Sequence, residues 1–457
     1  MKNPSLALCC ALTLGASAPL LNAAQEITLS VNAADPGTPV NRLIFGGCYL
    51  DFRQHTDAYE ELGLSSNREA SPGDASARKI QPEPGQWHWE EFDQWLVWLK
   101  ENNITGVCTL SNYAPWMLGE GTTEPEDWEF FIEDWSDHAA AVVRHANIEN
   151  KAGIRYWEIW NEPDSPTFWF KQPWNSGSER YAQLFHAAVR KMKAVDPTIL
   201  VGTGGMADPW RGGIRKWWAP LITDYGVGEV MDFAAIHTYY GNPANGAVDD
   251  ALARMRAIMR EQLQTEKPIL ITEYNALMHE DFTQRGVSFA EQSLITALNL
   301  GLFAARDVAA AQYFCIGWWE SDFCPWAPDG QPRPVVEAFK FWKDYQGERL
   351  SVTEKGPGLG YSVACRDGDT VRLYVPVAGD YPAEVSWKRY QVNVSGLRGP
   401  VTAEILAFYG DETHSLTHSL TPESDGSHTV AFKWPAQSDA LLKITLSPDA
   451  SPSPAAK

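Results

Sequence analysis

Positive charge is scarce in this sequence. Lys and Arg total 37 against 58 Asp and Glu, for a net charge of −21. So acidic a surface disfavours nucleic acid or an anionic membrane as a partner, while a neutral ligand is indifferent to it. Cysteine is scarce too. Of seven, Cys9 and Cys10 lie in an N-terminal apolar segment, which leaves Cys48, Cys108, Cys315, Cys324 and Cys365. Five is an odd number, so a full disulfide framework is excluded. Cys48, Cys108 and Cys315 sit in apolar strand-like runs and are expected to be buried small hydrophobes, with a Cys315–Cys324 bridge left open. No Cys-x-x-Cys pair occurs and the cysteines are scattered, so neither a metal nor a redox cofactor is expected. No Gly-x-Ser-x-Gly elbow occurs, which removes the common serine-hydrolase signature. Long apolar runs are missing apart from Leu6–Leu21, which is too short and interrupted for a membrane span. With Lys2 before it and Ala23 and Ala24 behind, residues 1–24 read as an export signal, so the product is expected to be secreted or periplasmic.

What is present is a regular alternation. Apolar strand-like runs occur at Leu43–Tyr49, Gly106–Leu110, Ile154–Trp160, Ile199–Thr203, Met231–Thr238, Ile269–Tyr274 and Ala310–Gly317. Helical patterns separate them. In Glu90–Lys100, Phe92, Trp95, Leu96 and Leu99 mark one buried face, and Tyr181, Leu184, Phe185, Ala188, Val189 and Met192 do so in Glu179–Val195. Ser176 and Glu179 have capping-box spacing before that second helix. Alternating strand and helix predicts a parallel sheet. An eighth strand is required between Glu61 and Lys79, where the pattern is weakest, and eight close a (β/α)8 TIM barrel over residues 43–347. An open doubly wound sheet needs a Gly-rich phosphate loop after its first strand, and Gly46-Gly47-Cys48 is not one. After Gly347 the texture shifts to short alternating runs with Asp367-Gly368 and Asp425-Gly426 turns, which predicts an antiparallel β-sandwich over residues 348–446. The strand-like stretch within residues 25–42 is placed to join that sandwich, and residues 447–457, rich in Ser, Pro and Ala, are expected to be a disordered tail.

Two motifs carry chemistry. Trp157-Glu158-Ile159-Trp160-Asn161-Glu162-Pro163-Asp164 ends the fourth strand, and Ile269-Leu270-Ile271-Thr272-Glu273-Tyr274-Asn275 forms the seventh. Barrel active sites lie at the C-terminal ends of the strands, and strands four and seven face each other across the mouth. Two carboxylates there suit retaining glycoside hydrolysis, which needs a pair about 5–5.5 Å apart. One attacks the anomeric carbon; the other holds a proton for the leaving oxygen and later takes one from water. Glu162 is assigned the acid/base role and Glu273 the nucleophile, with Tyr239 as a hydrogen-bond donor that keeps Glu273 ionised. The 20 Trp fit the same reading, because indole faces suit the C–H faces of sugar rings, although most are expected to be core residues.

With Asn-Glu-Pro after strand four and a Glu in strand seven, the chain resembles the retaining glycoside hydrolases of clan A, and within it glycoside hydrolase family 39. That family includes β-xylosidases, α-iduronidases and bacterial exopolysaccharide glycosidases. Asp411-Glu412-Thr413-His414-Ser415 also resembles a stretch of the family's sandwich. The resemblance implies an oligo- or polysaccharide substrate and no cofactor. It implies that Asn161 hydrogen-bonds the hydroxyl beside the anomeric carbon, that His237 and Tyr239 point into the mouth, and that Trp116, Trp318 and Trp319 contact sugar, with Tyr113, Asp51 and Arg53 as further candidates. The loops Asp208–Gly213, His279–Gly286 and Trp319–Arg333 match no specificity segment, so the sugar does not carry over. The alternatives are an α-L-arabinofuranosidase or an endo-acting glycanase of the same clan, and a non-catalytic glycan-binding protein.

Overall fold

The computed structural model describes residues 25–49, 57–68, 76–119, 121–170, 172–210, 212–239, 241–276, 286–317, 321–379 and 386–449. Residues 1–24, the tail beyond Asp449, and Asp51, Arg53, Trp318 and Trp319 lie outside them.

Eight parallel strands form one sheet: β1 Gly46–Cys48, β2 Ser66–Arg68, β3 Thr105–Leu110, β4 Tyr156–Ile159, β5 Leu200–Thr203, β6 Ala234–Thr238, β7 Ile269–Tyr274 and β8 Ala310–Tyr313. Their order is β5-β4-β3-β2-β1-β8-β7-β6. The two ends meet through parallel bridges Gly202↔Phe233 and Met206↔Ile236, so the sheet closes into a barrel. A Cβ at Gly202 would lie 2.1 Å from the Phe233 ring, so only glycine lets the last pair approach. The strands are shorter than the apolar runs. Leu43 and Ile44, for instance, belong to a 3-10 turn before β1, with Ile44 buried.

The helices lie outside the strands. Helix α1 (Glu90–Glu101) buries its predicted stripe and adds Trp98. Helix α2 is Trp128–Val143 and helix α3 is Ser178–Val195. The expected capping box before α3 does not form. Gly177, at φ +76°, is the N-cap, which puts Glu179 one position too early, and the Ser176 hydroxyl instead donates to the Pro173 carbonyl at 2.6 Å. A capping box does start the helix at Phe289–Ala305 (α4), formed by Ser288 and Glu291.

The remaining strands make two sheets. In one, Gln25–Asn32 lies between Thr353–Lys355 and Trp387–Ser395, followed by His428–Pro435 and Ser419–Pro422. The other runs from Thr413–Ser415 through Val401–Phe408, Ala440–Pro448, Thr370–Val377, Val363–Asp367 and Glu348–Leu350 to Thr38–Pro39. All these pairings are antiparallel except that of Gln25–Asn32 with Trp387–Ser395. The strand Ala440–Pro448 shows why the seven-stranded sheet is apolar on both faces. Leu442, Ile444 and Leu446 enter the sandwich core, while Leu441 enters the barrel's core. On that barrel side Tyr374 stacks on Trp342 of helix α5 (Val335–Trp342), with centroids 4.2 Å apart. The same strand runs to Pro448, past the expected start of the tail.

Cys48, Cys108, Cys315, Cys324 and Cys365 are all buried, and none of the five forms a disulfide. The Cys315–Cys324 bridge left open by the sequence is not made; the Cys324 thiol donates to the Ile316 carbonyl at 2.9 Å. Among the described residues no helix is long and apolar enough to cross a membrane.

Candidate active site

The chain turns sharply where β4 ends. Trp160 and Glu162 have φ of +74° and +46°, left-handed values that cost non-glycine residues about 1–3 kcal/mol each. Neighbouring strands hold them there. Trp160 N–H donates to Leu110 O at 2.7 Å, and Glu162 N–H donates to Gly205 O at 3.2 Å. Asp164 completes the strap: its two carboxylate oxygens accept the N–H groups of Ala207 and Asp208, both at 2.9 Å. Burial pushes the Asp164 carboxyl up to about 7; these two hydrogen bonds oppose the rise without cancelling it.

Glu273 arrives from β7, its side chain only 8% exposed. A buried carboxylate needs partners, and Arg68 at the end of β2 supplies one. Its Nη1 donates to Glu273 at 2.7 Å, its Nε to Glu158 at 2.6 Å and its Nη2 to the Asn161 side-chain oxygen at 2.7 Å. Thr109 donates to the same Glu158 oxygen at 2.8 Å. One guanidinium thus ties β2, β4 and β7 together and fixes the Asn161 side chain through its oxygen.

The other Glu273 oxygen accepts from Tyr239 Oη at 2.5 Å. Burial, and then the charge of Glu273, push the Tyr239 phenol well above its usual range, so it stays a donor. His237 stands between the two glutamates. Its Nδ1 lies 2.7 Å from Glu162 and 3.5 Å from Glu273, so Nδ1 carries the hydrogen. Burial alone would lower the His237 pKa, but the charge of Glu273 and the hydrogen bond to Glu162 outweigh it and raise it. Gly205 makes room for this ring, since a Cβ there would lie 2.1 Å from His237 Nε2.

One ligand atom from each of Glu162, His237 and Glu273 lies within 4.8 Å of the other two, which brings the paired carboxylates to one point over the mouth. The same three groups are the described cluster that could hold a metal ion; within it His237 Nδ1 is hydrogen-bonded to Glu162 at 2.7 Å. A His-x-x-x-His spacing, His414 to His418, departs from the expected lack of metal patterns. It lies on a strand edge, where His414 pairs with Glu412 and both His418 nitrogens face backbone carbonyls.

The structure thus joins Asn161, Glu162, His237, Tyr239 and Glu273 in one network. Trp116 and Tyr113 make contacts elsewhere. The Trp116 indole N–H donates to the Gln81 carbonyl, and Tyr113 stacks on Phe170 with centroids 5.3 Å apart. Arg68, Glu158, Thr109 and Gly205 were not singled out from sequence. Arg68 had one available signal, a charged residue closing the weak strand at the end where barrel sites form.

No family model matches the chain. A β-xylosidase of Geobacillus stearothermophilus is 27% identical over 176 residues, spanning 34% of this chain and 32% of that protein. An intracellular exo-α-(1→5)-L-arabinofuranosidase of Bacillus subtilis is 31% identical over 114 residues, 24% of this chain and 20% of that one. The chain therefore matches less than two thirds of either relative's own length. A glycoside hydrolase family 39 enzyme from Xanthomonas axonopodis pv. citri superposes with a TM-score of 0.65 at 18% identity, covering 92% of this chain and 97% of the other. The fold is shared with that solved glycoside hydrolase. Within this glycoside hydrolase fold the network described above occupies the barrel mouth.

Proposed function

We propose that this protein is an exported glycoside hydrolase that cleaves O-glycosidic bonds with retention, with Glu273 as nucleophile and Glu162 as acid/base. The observation that carries the reading is the close pair of carboxylates with different partners. Glu273 accepts hydrogen bonds from Arg68 and Tyr239 on separate oxygens, which hold its carboxylate in one orientation. Glu162 accepts one, from His237, and keeps its second oxygen for a proton. In the first step Glu273 bonds to the anomeric carbon as Glu162 passes its proton to the departing oxygen. His237 N–H then supports the new Glu162 carboxylate. In the second step Glu162 takes a proton from water, whose oxygen displaces Glu273. In this reading the Asn161 amide binds the neighbouring hydroxyl.

A β-xyloside is the first substrate class to try, on the resemblance to family 39 and the β-xylosidase relative; an α-L-arabinofuranoside is the second, on the arabinofuranosidase relative. The test is hydrolysis of aryl β-xyloside, β-glucoside, β-galactoside and α-L-arabinofuranoside by the wild type, Glu273→Ala and Glu162→Ala. The reading expects activity on one glycone, its loss in Glu273→Ala, and partial rescue of Glu162→Ala by azide or a good leaving group. Silence on every glycone and on oligosaccharides would favour a glycan-binding protein. Export is checked by sequencing the N-terminus of the product recovered outside the cytoplasm.

A further inference from the structure

The loop after Glu162 presents two aromatic side chains to solvent. Phe168 is 41% exposed and Trp174 is 52% exposed. Two exposed rings on the loop that carries the acid/base residue offer apolar faces beside the mouth. Both are tied closely to the acid/base segment. Ser165 N–H donates to the Glu162 carbonyl at 3.0 Å and Phe168 N–H to the Ser165 carbonyl at 3.2 Å, so two successive turns separate Phe168 from Glu162. Asn175 N–H donates to the Asp164 carbonyl at 2.9 Å, which brings Trp174 back beside the same segment.

The loop is also held from beneath. Trp160, Trp169 and Phe170 pack on one another with centroids 5.0–5.7 Å apart. Phe170 further meets Trp128 at the start of α2, with centroids 5.8 Å apart. Two residues from that contact lies Phe130, 72% exposed in the first turn of α2. First turns of barrel helices sit at the mouth end. The exposed rings therefore belong to neighbouring units of one rim, and the loop that carries two of them rests on a buried aromatic base.

In the proposed reaction the acid protonates the leaving oxygen, so the leaving group departs on the Glu162 side. Resting on that reading, we infer that Phe168 and Trp174, continued by Phe130, form a platform for the leaving-group portion of a neutral oligosaccharide, reaching beyond the first sugar. Aromatic faces take sugar C–H faces without charge, and the chain's net charge of −21 suits a neutral glycan rather than an anionic one. All three side chains are exposed, so truncating them leaves the fold intact.

The experiment compares the wild type with Phe168→Ala, Trp174→Ala and the triple variant with Phe130→Ala. Each is assayed on an aryl monosaccharide glycoside and on xylohexaose and arabinohexaose. Binding of the same hexasaccharides is measured by calorimetry in the Glu273→Ala background. The platform predicts about tenfold weaker hexasaccharide binding and kcat/KM for each ring removed, with the aryl glycoside unchanged. Hexasaccharide binding that weakens in the variants of a protein with no hydrolysis would keep the platform and remove the hydrolase reading. Hydrolysis and binding that are untouched, or lost equally on both substrate classes, would overturn the platform and leave the hydrolase reading standing. Absence of binding to either hexasaccharide overturns it as well. So does a concentration-dependent dimer that the substitutions abolish, which would assign the rings to a second copy.

Discussion

Val392, Phe432, Leu442 and Ile444 are buried in the sandwich core among apolar side chains, whereas at the barrel mouth Arg68, Glu158, His237 and Glu273 are buried almost as deeply and all are ionisable. The first region is held by area removed from water, and any well-shaped apolar set would serve. The second carries the desolvation cost of ions, offset only while every partner is present. A fold can build a mouth of this kind only if packing elsewhere supplies the surplus. The apolar cores of the barrel itself and of the sandwich, with the aromatic seam between them, supply that surplus. Substitutions in the two regions should therefore fail differently.

Arg68→Met is expected to have the largest effect. It strands Glu158 and Glu273 without their shared cation, and removing one partner of a buried ion pair costs about 3–5 kcal/mol. Denaturant unfolding should show that loss, and kcat should fall by about 10³ or more because Glu273 also loses its orientation. An Arg68→Met protein with normal stability and turnover would erase the contrast. Gly205→Ala comes next. A Cβ 2.1 Å from His237 Nε2 must displace the imidazole, so kcat should fall about a hundredfold in steady-state assays at a stability cost smaller than that of Arg68→Met. Leu442→Ala works the other way: about 2–5 kcal/mol of stability is lost in the sandwich, while kcat per folded molecule stays as it was.

Asp164→Asn is read from a pH series rather than from its stability at one pH. The folded state holds the Asp164 proton up to about 7, against an ordinary value of 3.8, so it binds that proton more tightly than the unfolded chain does. The stability this contributes is fully present below about pH 4 and is lost as pH rises through about 7. The wild type should accordingly lose about 2–4 kcal/mol more than Asp164→Asn between these limits, measured by denaturation at several pH values. Parallel pH profiles would mean that the strap does not titrate.

The two regions also differ in how far the sequence exposes them. Seven barrel strands are visible because apolar runs alternate with one-faced helices, and the sandwich because its strands alternate with turn dipeptides. Strand β2 was placed only by counting, and its residues explain why: Ser66, Asn67 and Arg68 are all buried and none is apolar. Hydropathy is blind to a buried strand that satisfies itself through hydrogen bonds, as Asn67 does with Trp95 and Tyr59. The carboxylate pair stood out for the opposite reason, since each Glu closes an apolar strand. The Gly205 contact with His237 and the Asp164 strap join residues distant in the chain, and no local pattern marks them.

The most direct test of the account is to trap the glycosyl-enzyme. The protein is incubated with 2,4-dinitrophenyl 2-deoxy-2-fluoro glycosides of xylose and arabinofuranose and digested, and the modified peptide is sequenced by mass spectrometry. The account predicts one sugar bonded to Glu273, with inactivation that stops in Glu273→Ala. A sugar on Glu162, or hydrolysis of the parent glycoside with an inverted product and no adduct, would contradict it.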